Sequence, residues 1–242
     1  MRLRLTYKSF NDASLLPKAD VAISGLGISL TYTQDGNAKV NNDGTTPYVK
    51  PYEVGDQITV ANETYHIISV PSNEDYVVAL KDNPLTATEI TSAGGTVGYT
   101  YSDANSTGGI AYHASSTAYG TSDVKSVVDT WVNNKFSDEL KEVDGYSARL
   151  IQFSELMPGL GYELDNGATS TRYIPSSSTP SWVYSSDYWY WTMTSWQDGD
   201  QTSSSDVWGV YYNGESLRSY CVRDNYGAVR PVINVYKSAI QS

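Results

Sequence analysis

The chain of 242 residues is long enough for one large domain, or for a domain with a smaller extension, and its 40% hydrophobic content is that of a globular protein. A formal charge of −11, with Arg2 and Arg4 as the densest basic spot, excludes an electrostatic groove for nucleic acid. The single Cys221 excludes an intramolecular disulfide, and with His66 and His113 it cannot make a His/Cys zinc site.

Residues 1–50 read as an extended, β-rich N-terminal segment: Arg2 to Tyr7 alternates, Val21 to Tyr32 is β-prone, and Gln34-Asp-Gly-Asn marks a turn. The start lacks the apolar core of a signal peptide, and no apolar run is long enough to span a bilayer. The expectation is a chain used without Sec export, as a virion component would be, or one separated from its anchor. Asn41-Asn-Asp-Gly-Thr-Thr-Pro reads as a linker. From there three antiparallel strands are predicted: Gln57-Ile-Thr-Val, Tyr65-His-Ile-Ile-Ser-Val after the turn Ala61-Asn62-Glu63, and Tyr76-Val-Val-Ala-Leu. His66 reads as a strand-face residue.

Residues 92–121, rich in Gly, Ser, Thr and Tyr without a period, read as a long surface loop. Ser122 and Asp123 then cap a helix whose Val124, Val127, Val128 and Trp131 form one apolar stripe. Ser147 to Phe153 reads as a buried strand, and Ser154 to Gly161 as a short helix stopped by Pro158 and Gly161. The tail is strand-like throughout: Tyr190-Trp-Thr-Met-Thr, Val207-Trp-Gly-Val-Tyr-Tyr, Ser219-Tyr-Cys-Val-Arg and Ala228 to Val235. Asn213-Gly214 reads as a two-residue hairpin turn, and Pro231 is expected at an edge or a bulge because it has no N–H.

Aromatic residues crowd this tail. Ten of the 21 Tyr lie from Tyr162 onward, and five of the six Trp fall between Trp182 and Trp208. Such rings either fill a core or supply stiff, amphipathic contact area to a ligand. Alternation on the strands predicts Trp191, Met193 and Trp208 buried, with Tyr211, Asn213, Tyr220, Asn225 and Tyr226 exposed. Arg230, a guanidinium in an apolar strand, is expected to have fixed partners and to tie the last strand into the domain.

The order of these pieces over roughly residues 54–236 resembles the C-type lectin fold of the formylglycine-generating-enzyme type. The motifs are Trp189-Tyr-Trp-Thr-Met-Thr, Val207-Trp-Gly-Val-Tyr-Tyr-Asn-Gly and the ending Gly227-Ala-Val-Arg-Pro-Val-Ile. The resemblance implies an α+β, C-type-lectin-like domain over residues 51–242, with antiparallel strands, two helices, and a last strand returning to the first. Within that fold the chain is similar to the variable proteins of diversity-generating retroelements, which display a hypervariable binding surface. That likeness implies noncovalent attachment to a macromolecular ligand, a protein or glycan on a cell surface, through a tail at about residues 182–236.

The implied variable positions are Tyr188, Tyr190, Ser195, Asp198, Asp200, Asp206, Tyr211, Asn213, Ser219, Tyr220, Arg223, Asn225 and Tyr226. Adenine-directed mutagenesis of Asn codons cannot yield Trp, Met or Glu. Trp189, Trp191, Met193, Trp208 and Glu215 are therefore expected to be fixed scaffold. The expected location is a virion or cell surface, with no nucleic acid, membrane insertion or cofactor, and with room for a homo-oligomer. The alternative is a subunit of a cell-surface fibre or pilus. An enzyme ranks below both: Cys221 lacks the partner thiol of a formylglycine-generating enzyme, and no nucleophile–base motif is present. The sugar-reading motifs of calcium-dependent lectins are also missing, and Asp198-Gly-Asp200 starts a calcium loop without completing one.

Overall fold

The computed structural model describes residues 51–164, 173–198 and 201–240, without the side chains of 197–204. The N-terminal segment 1–50, the side chain of Asp198 and all of Asp200 lie outside the described residues.

The opening strands β1 (Gln57–Val60), β2 (Glu63–Ser69) and β3 (Tyr76–Lys81) form as predicted. The β1–β2 turn is the pair Ala61 and Asn62, at φ 48° and 61°, a left-handed pair that matches the twist of a two-residue hairpin. Next come α1 (Ala87–Ser92), β4 (Tyr99–Thr100), β5 (Gly108–Ile110) and α2 (Asp123–Lys135). Ser122 caps α2 by accepting from Lys125 N, and its buried face is Val124, Val127, Val128, Trp131 and Val132.

β6 (Ala148–Leu150) and α3 (Phe153–Leu156) are joined by a bidentate pair from Arg149 to Glu155, at 2.7 and 2.6 Å. The remaining strands are β7 (Tyr162–Leu164), β8 (Tyr173–Pro175), β9 (Tyr190–Asp198), β10 (Gln201–Val210), β11 (Leu217–Cys221), β12 (Gly227–Ala228) and β13 (Pro231–Tyr236). The architecture is mixed α+β, mostly strands in two sheets with few helices. One sheet has the order β1-β2-β3-β13-β6, and the other β4-β5-β12-β9-β10-β11-β8-β7. No helix among the described residues is long and apolar enough to cross a membrane.

Alternate residues of the inner strands enter two separate cores. Val77, Ala79, Ile233 and Val235 join Trp189, Trp191, Val207 and the α2 stripe in one. Val78, Leu80 and Val232 join Tyr190, Trp208, Val210, Leu217 and Leu156 in the other. Strands buried on both faces read as continuous apolar runs, which is why β3 and β13 stand out in the sequence.

Four expectations are corrected. The stretch 92–121 is not a surface loop: it ends α1, carries β4 and β5, and buries Thr107, Tyr112 and Tyr119. The last strand pairs with β3 and β6 rather than with β1. Pro231 opens the inner strand β13, where the first residue can lack a ladder donor. Asn213-Gly214 is not a two-residue hairpin, because the loop closes one step wider, with Tyr211 N donating to Ser216 O at 3.0 Å.

Candidate ligand surface

Pairing of β11 with β10 sets the site. Val207 faces Tyr220, Trp208 faces Ser219 and Gly209 faces Arg218, so Tyr220 and Arg218 share a face and Ser219 points to the other. Gly209 lets the Tyr220 ring lie across its strand. A Cβ there would come 2.7 Å from Tyr220 Cδ2 and 3.0 Å from Trp189 Cε3. The Tyr220 ring stacks flat on Trp189, with centroids 3.6 Å apart and planes 5° apart.

Beside this stack lie two further groups of aromatic residues, which with it make up a strip. Tyr226 meets the edge of Trp189 at 5.5 Å. The Tyr101 hydroxyl donates to the Tyr226 carbonyl at 2.5 Å, and the Tyr101 ring meets Tyr99 at 4.9 Å. In the other direction the Arg218 guanidinium lies 3.4 Å above the Tyr211 ring, which packs on Tyr212 at 4.0 Å. Arg218 Nε donates to Ser216 Oγ at 3.0 Å, which fixes the guanidinium over the ring. Arg218 and Tyr220 are two apart on β11 and share a face, which sets the two groups of rings side by side. Burial raises the hydroxyls of Tyr220, Tyr101 and Tyr226 above the ordinary tyrosine value and keeps them neutral. Tyr99, Tyr212 and Tyr226 are 50%, 42% and 41% exposed, so each offers part of its ring to solvent.

The predicted positions divide. Asn213, Ser219, Arg223, Asn225 and Tyr226 are exposed, although Ser219 faces away from the Tyr220–Arg218 side. Tyr211 and Tyr220, expected to be exposed, are half-buried because their rings are held by Arg218 and Trp189. Ser195 is half-buried, with its hydroxyl 3.3 Å from the Thr117 carbonyl, and Asp206 is half-buried, accepting from Ser205. Tyr188 and Tyr190 are corrections as display residues, since both are buried. Tyr190 opens the inner strand β9, and both rings enter the second core; the Tyr190 hydroxyl donates to the Val183 carbonyl at 2.6 Å.

Of the predicted scaffold, Trp189, Trp191 and Trp208 are buried. Met193 is only half-buried at the margin of the first core, and Glu215 is exposed. Sequence reasoning missed Tyr99, Tyr101, Tyr212 and Arg218 as members of the strip. The available signal was the alternation Tyr99-Thr-Tyr101 on a polar background.

A second feature is a cleft of about 360 Å³ next to Tyr188, between β2 and the segment that leads into β9. His66 stacks on Trp182 with planes 2° apart and centroids 4.5 Å apart, and its Nδ1 pairs with the Asp82 carboxylate. Arg230 also borders the cleft. As expected it ties the last strand into the domain, with Nε, Nη1 and Nη2 donating to the carbonyls of Lys81, Val183 and Trp182 at 2.6, 2.9 and 2.7 Å.

Nearby, Glu63 receives Lys135 and, at 3.0 Å, the buried Lys81. Burial alone would raise the Glu63 carboxyl, but the two ammonium groups together hold it below its ordinary value. No family model, curated protein or solved structure matches the chain.

Proposed function

We infer that the chain is a noncovalent binding protein whose ligand contacts the strip from Tyr99 to Tyr212. The supporting observation is the strip itself: the exposed Tyr99, Tyr212 and Tyr226, with Arg218 stacked on Tyr211, beside a Tyr220 ring laid flat on buried Trp189. Tyrosine and arginine anchors on a rigid base, with Asn and Ser around them, are the make-up of protein-binding hot spots. The reading extends to a C-type-lectin-like domain of the variable-protein type, supported by Trp189-Tyr-Trp-Thr-Met-Thr and Gly227-Ala-Val-Arg-Pro. Its ligand would be a protein or glycan on a cell surface, met from a virion or another cell, and it assigns the chain no catalytic step.

Sibling genes provide the test. Under this reading they differ at Tyr212, Asn213, Arg218, Arg223, Asn225 and Tyr226 and keep Trp189, Trp191 and Trp208. Variation spread evenly through residues 54–160, or centred on Trp191 and Trp208, ends the variable-protein reading. In parallel, labelled protein is applied to candidate host cells, and the Tyr212→Ala/Tyr226→Ala double variant is expected to lose attachment at unchanged fold. Full attachment by that variant removes the strip as the contact surface.

A further inference from the structure

Arg230 is 2% exposed, yet no carboxylate among the described residues pairs with it. Its three bonds go to main-chain carbonyls, and its charge lies 5.2 Å above the Tyr190 ring. A guanidinium has five N–H donors, of which these carbonyls take three, and the Tyr190 hydroxyl lies within hydrogen-bonding reach of the same group. Carbonyls and a ring face satisfy hydrogens and part of the field, but a buried cation without a counter-charge is costly. This cation is also part of the wall of the cleft.

The cleft has one carboxylate among its described lining, Asp82, and both its oxygens are engaged: one by His66 Nδ1, the other by Gln57 Nε2 at 3.1 Å. Asn83, Ser186, Trp182 and Tyr184 also line the cleft; the Ser186 hydroxyl donates to Asp187 at 3.3 Å, and the Trp182 ring is held in place by its stack on His66. We propose that this cleft is a second ligand site that takes a small organic carboxylate, the anion toward Arg230 and the body of the molecule against Trp182 and Tyr184.

A carboxylate brings the counter-charge that Arg230 lacks among the described residues, and it is the anion that a guanidinium recognises best. A dianion such as phosphate is disfavoured, because Asp82 repels a double charge more strongly than a single one. The cleft volume sits at the small end of ligand pockets and suits a ring-sized molecule rather than a chain. The site owes nothing to the tyrosine strip and stands if the strip reading fails.

The test is an NMR titration of the intact chain with benzoate, benzamide and inorganic phosphate, following the indole N–H of Trp182, assigned by its loss in Trp182→Phe. Benzoate is expected to shift that signal saturably, with an affinity at least about tenfold above that of benzamide and of phosphate. Arg230 holds three carbonyls, so replacing it endangers the fold; Asp82→Asn is the informative variant. It keeps the shape, can accept from His66 or from Gln57 through its one oxygen, removes the like charge, and is expected to tighten benzoate severalfold. Benzamide or phosphate binding as well as benzoate, no saturable shift, or unchanged or weaker benzoate binding in Asp82→Asn each overturns the proposal.

Discussion

The two sheets face the same pair of cores but fill them with different chemistry. From the five-stranded sheet come Val77, Ala79, Ile233 and Val235 on one side and Val78, Leu80 and Val232 on the other. The eight-stranded sheet answers with Trp189 and Trp191 on the first side and with Tyr190 and Trp208 on the second. Aliphatic groups interdigitate without leaving a polar atom to satisfy. Rings carry one each, and the second sheet solves this unevenly. Trp191 Nε1 donates to the Ile110 carbonyl at 3.0 Å and the Tyr190 hydroxyl to Val183, whereas Trp189 Nε1 and the Tyr220 hydroxyl are buried with no partner among the described residues. Each such orphan costs about 1–3 kcal/mol. Tyr65 on β2 of the five-stranded sheet carries the same cost, a buried hydroxyl with no partner among the described residues, but it is Trp189 and Tyr220 that lie beside the exposed Tyr226.

The strongest way to break this comparison is Trp191→Ala. It empties a fully buried site and strands the Ile110 carbonyl, so a loss of about 3–5 kcal/mol is expected in denaturant unfolding. Leu80→Ala, its counterpart on the five-stranded sheet, removes packing but leaves no polar orphan and is expected to cost less within the roughly 2–5 kcal/mol of such changes. Equal or reversed losses would show that the rings are no more committed than the aliphatic residues.

Next comes close approach. A Cβ on Gly227 would lie 2.3 Å from Trp191 Nε1 and 2.7 Å from Trp189 Cη2, two rings packed too tightly to yield. Gly227→Ala is expected to destabilise by about 1–3 kcal/mol through overpacking, and to move the near-ultraviolet tryptophan spectrum. Gly120→Ala, where a Cβ meets nothing, is the matched control and leaves both unchanged.

How far the sequence carried follows from the same contrast. β1 to β3 and α2 were legible because their apolar residues keep a period of two or of three to four. β4 and β5 were not, because apart from Ile110 the residues that bury there are Gly108, Gly109 and Thr107, which leave no hydrophobic period. Gly108 lets Ile90 Cδ1 come within 2.5 Å of a Cβ position, and the Thr107 hydroxyl is satisfied by Asp103. The strip was half legible. Tyr211, Tyr220 and Tyr226 lie together in sequence, but Tyr99 and Tyr101 reach them only because β5 pairs with β12, a contact no local pattern encodes. Tyr188 and Tyr190 misled because composition shows which residues suit a surface, while strand position decides which ones reach it. The cleft joins Asp82, Trp182 and Arg230 from three distant segments and left no signal at all.

The hydrophobic comparison has an electrostatic edge at Glu63, whose side chain is 24% exposed. Its folded pKa is depressed, so its contribution is fully present above the ordinary value of 4.5 and is lost as pH falls through the lower, folded value. Glu63→Gln is therefore expected to be less stable than the parent at pH 7, by about 1 kcal/mol or less given the solvent access, with the gap closing below about pH 4.5. A gap that stays constant down to acid unfolding would mean that Glu63 acts by packing alone.

The smallest expected effect bears on the surface itself. Tyr212 and Tyr226 are more than a third exposed, and neither ring enters a core. Replacing one with Ala should change unfolding free energy by no more than about 0.5 kcal/mol. Tyr220→Ala makes the contrast: its ring covers Trp189 at 3.6 Å, so its removal exposes a buried indole and should cost several times as much. Measured side by side, the three variants separate positions free to change from the ring that holds them in place. Comparable losses at Tyr212 and Tyr220 would mean that the strip is structural along its whole length, because a surface that cannot change without unfolding cannot be varied to meet new ligands.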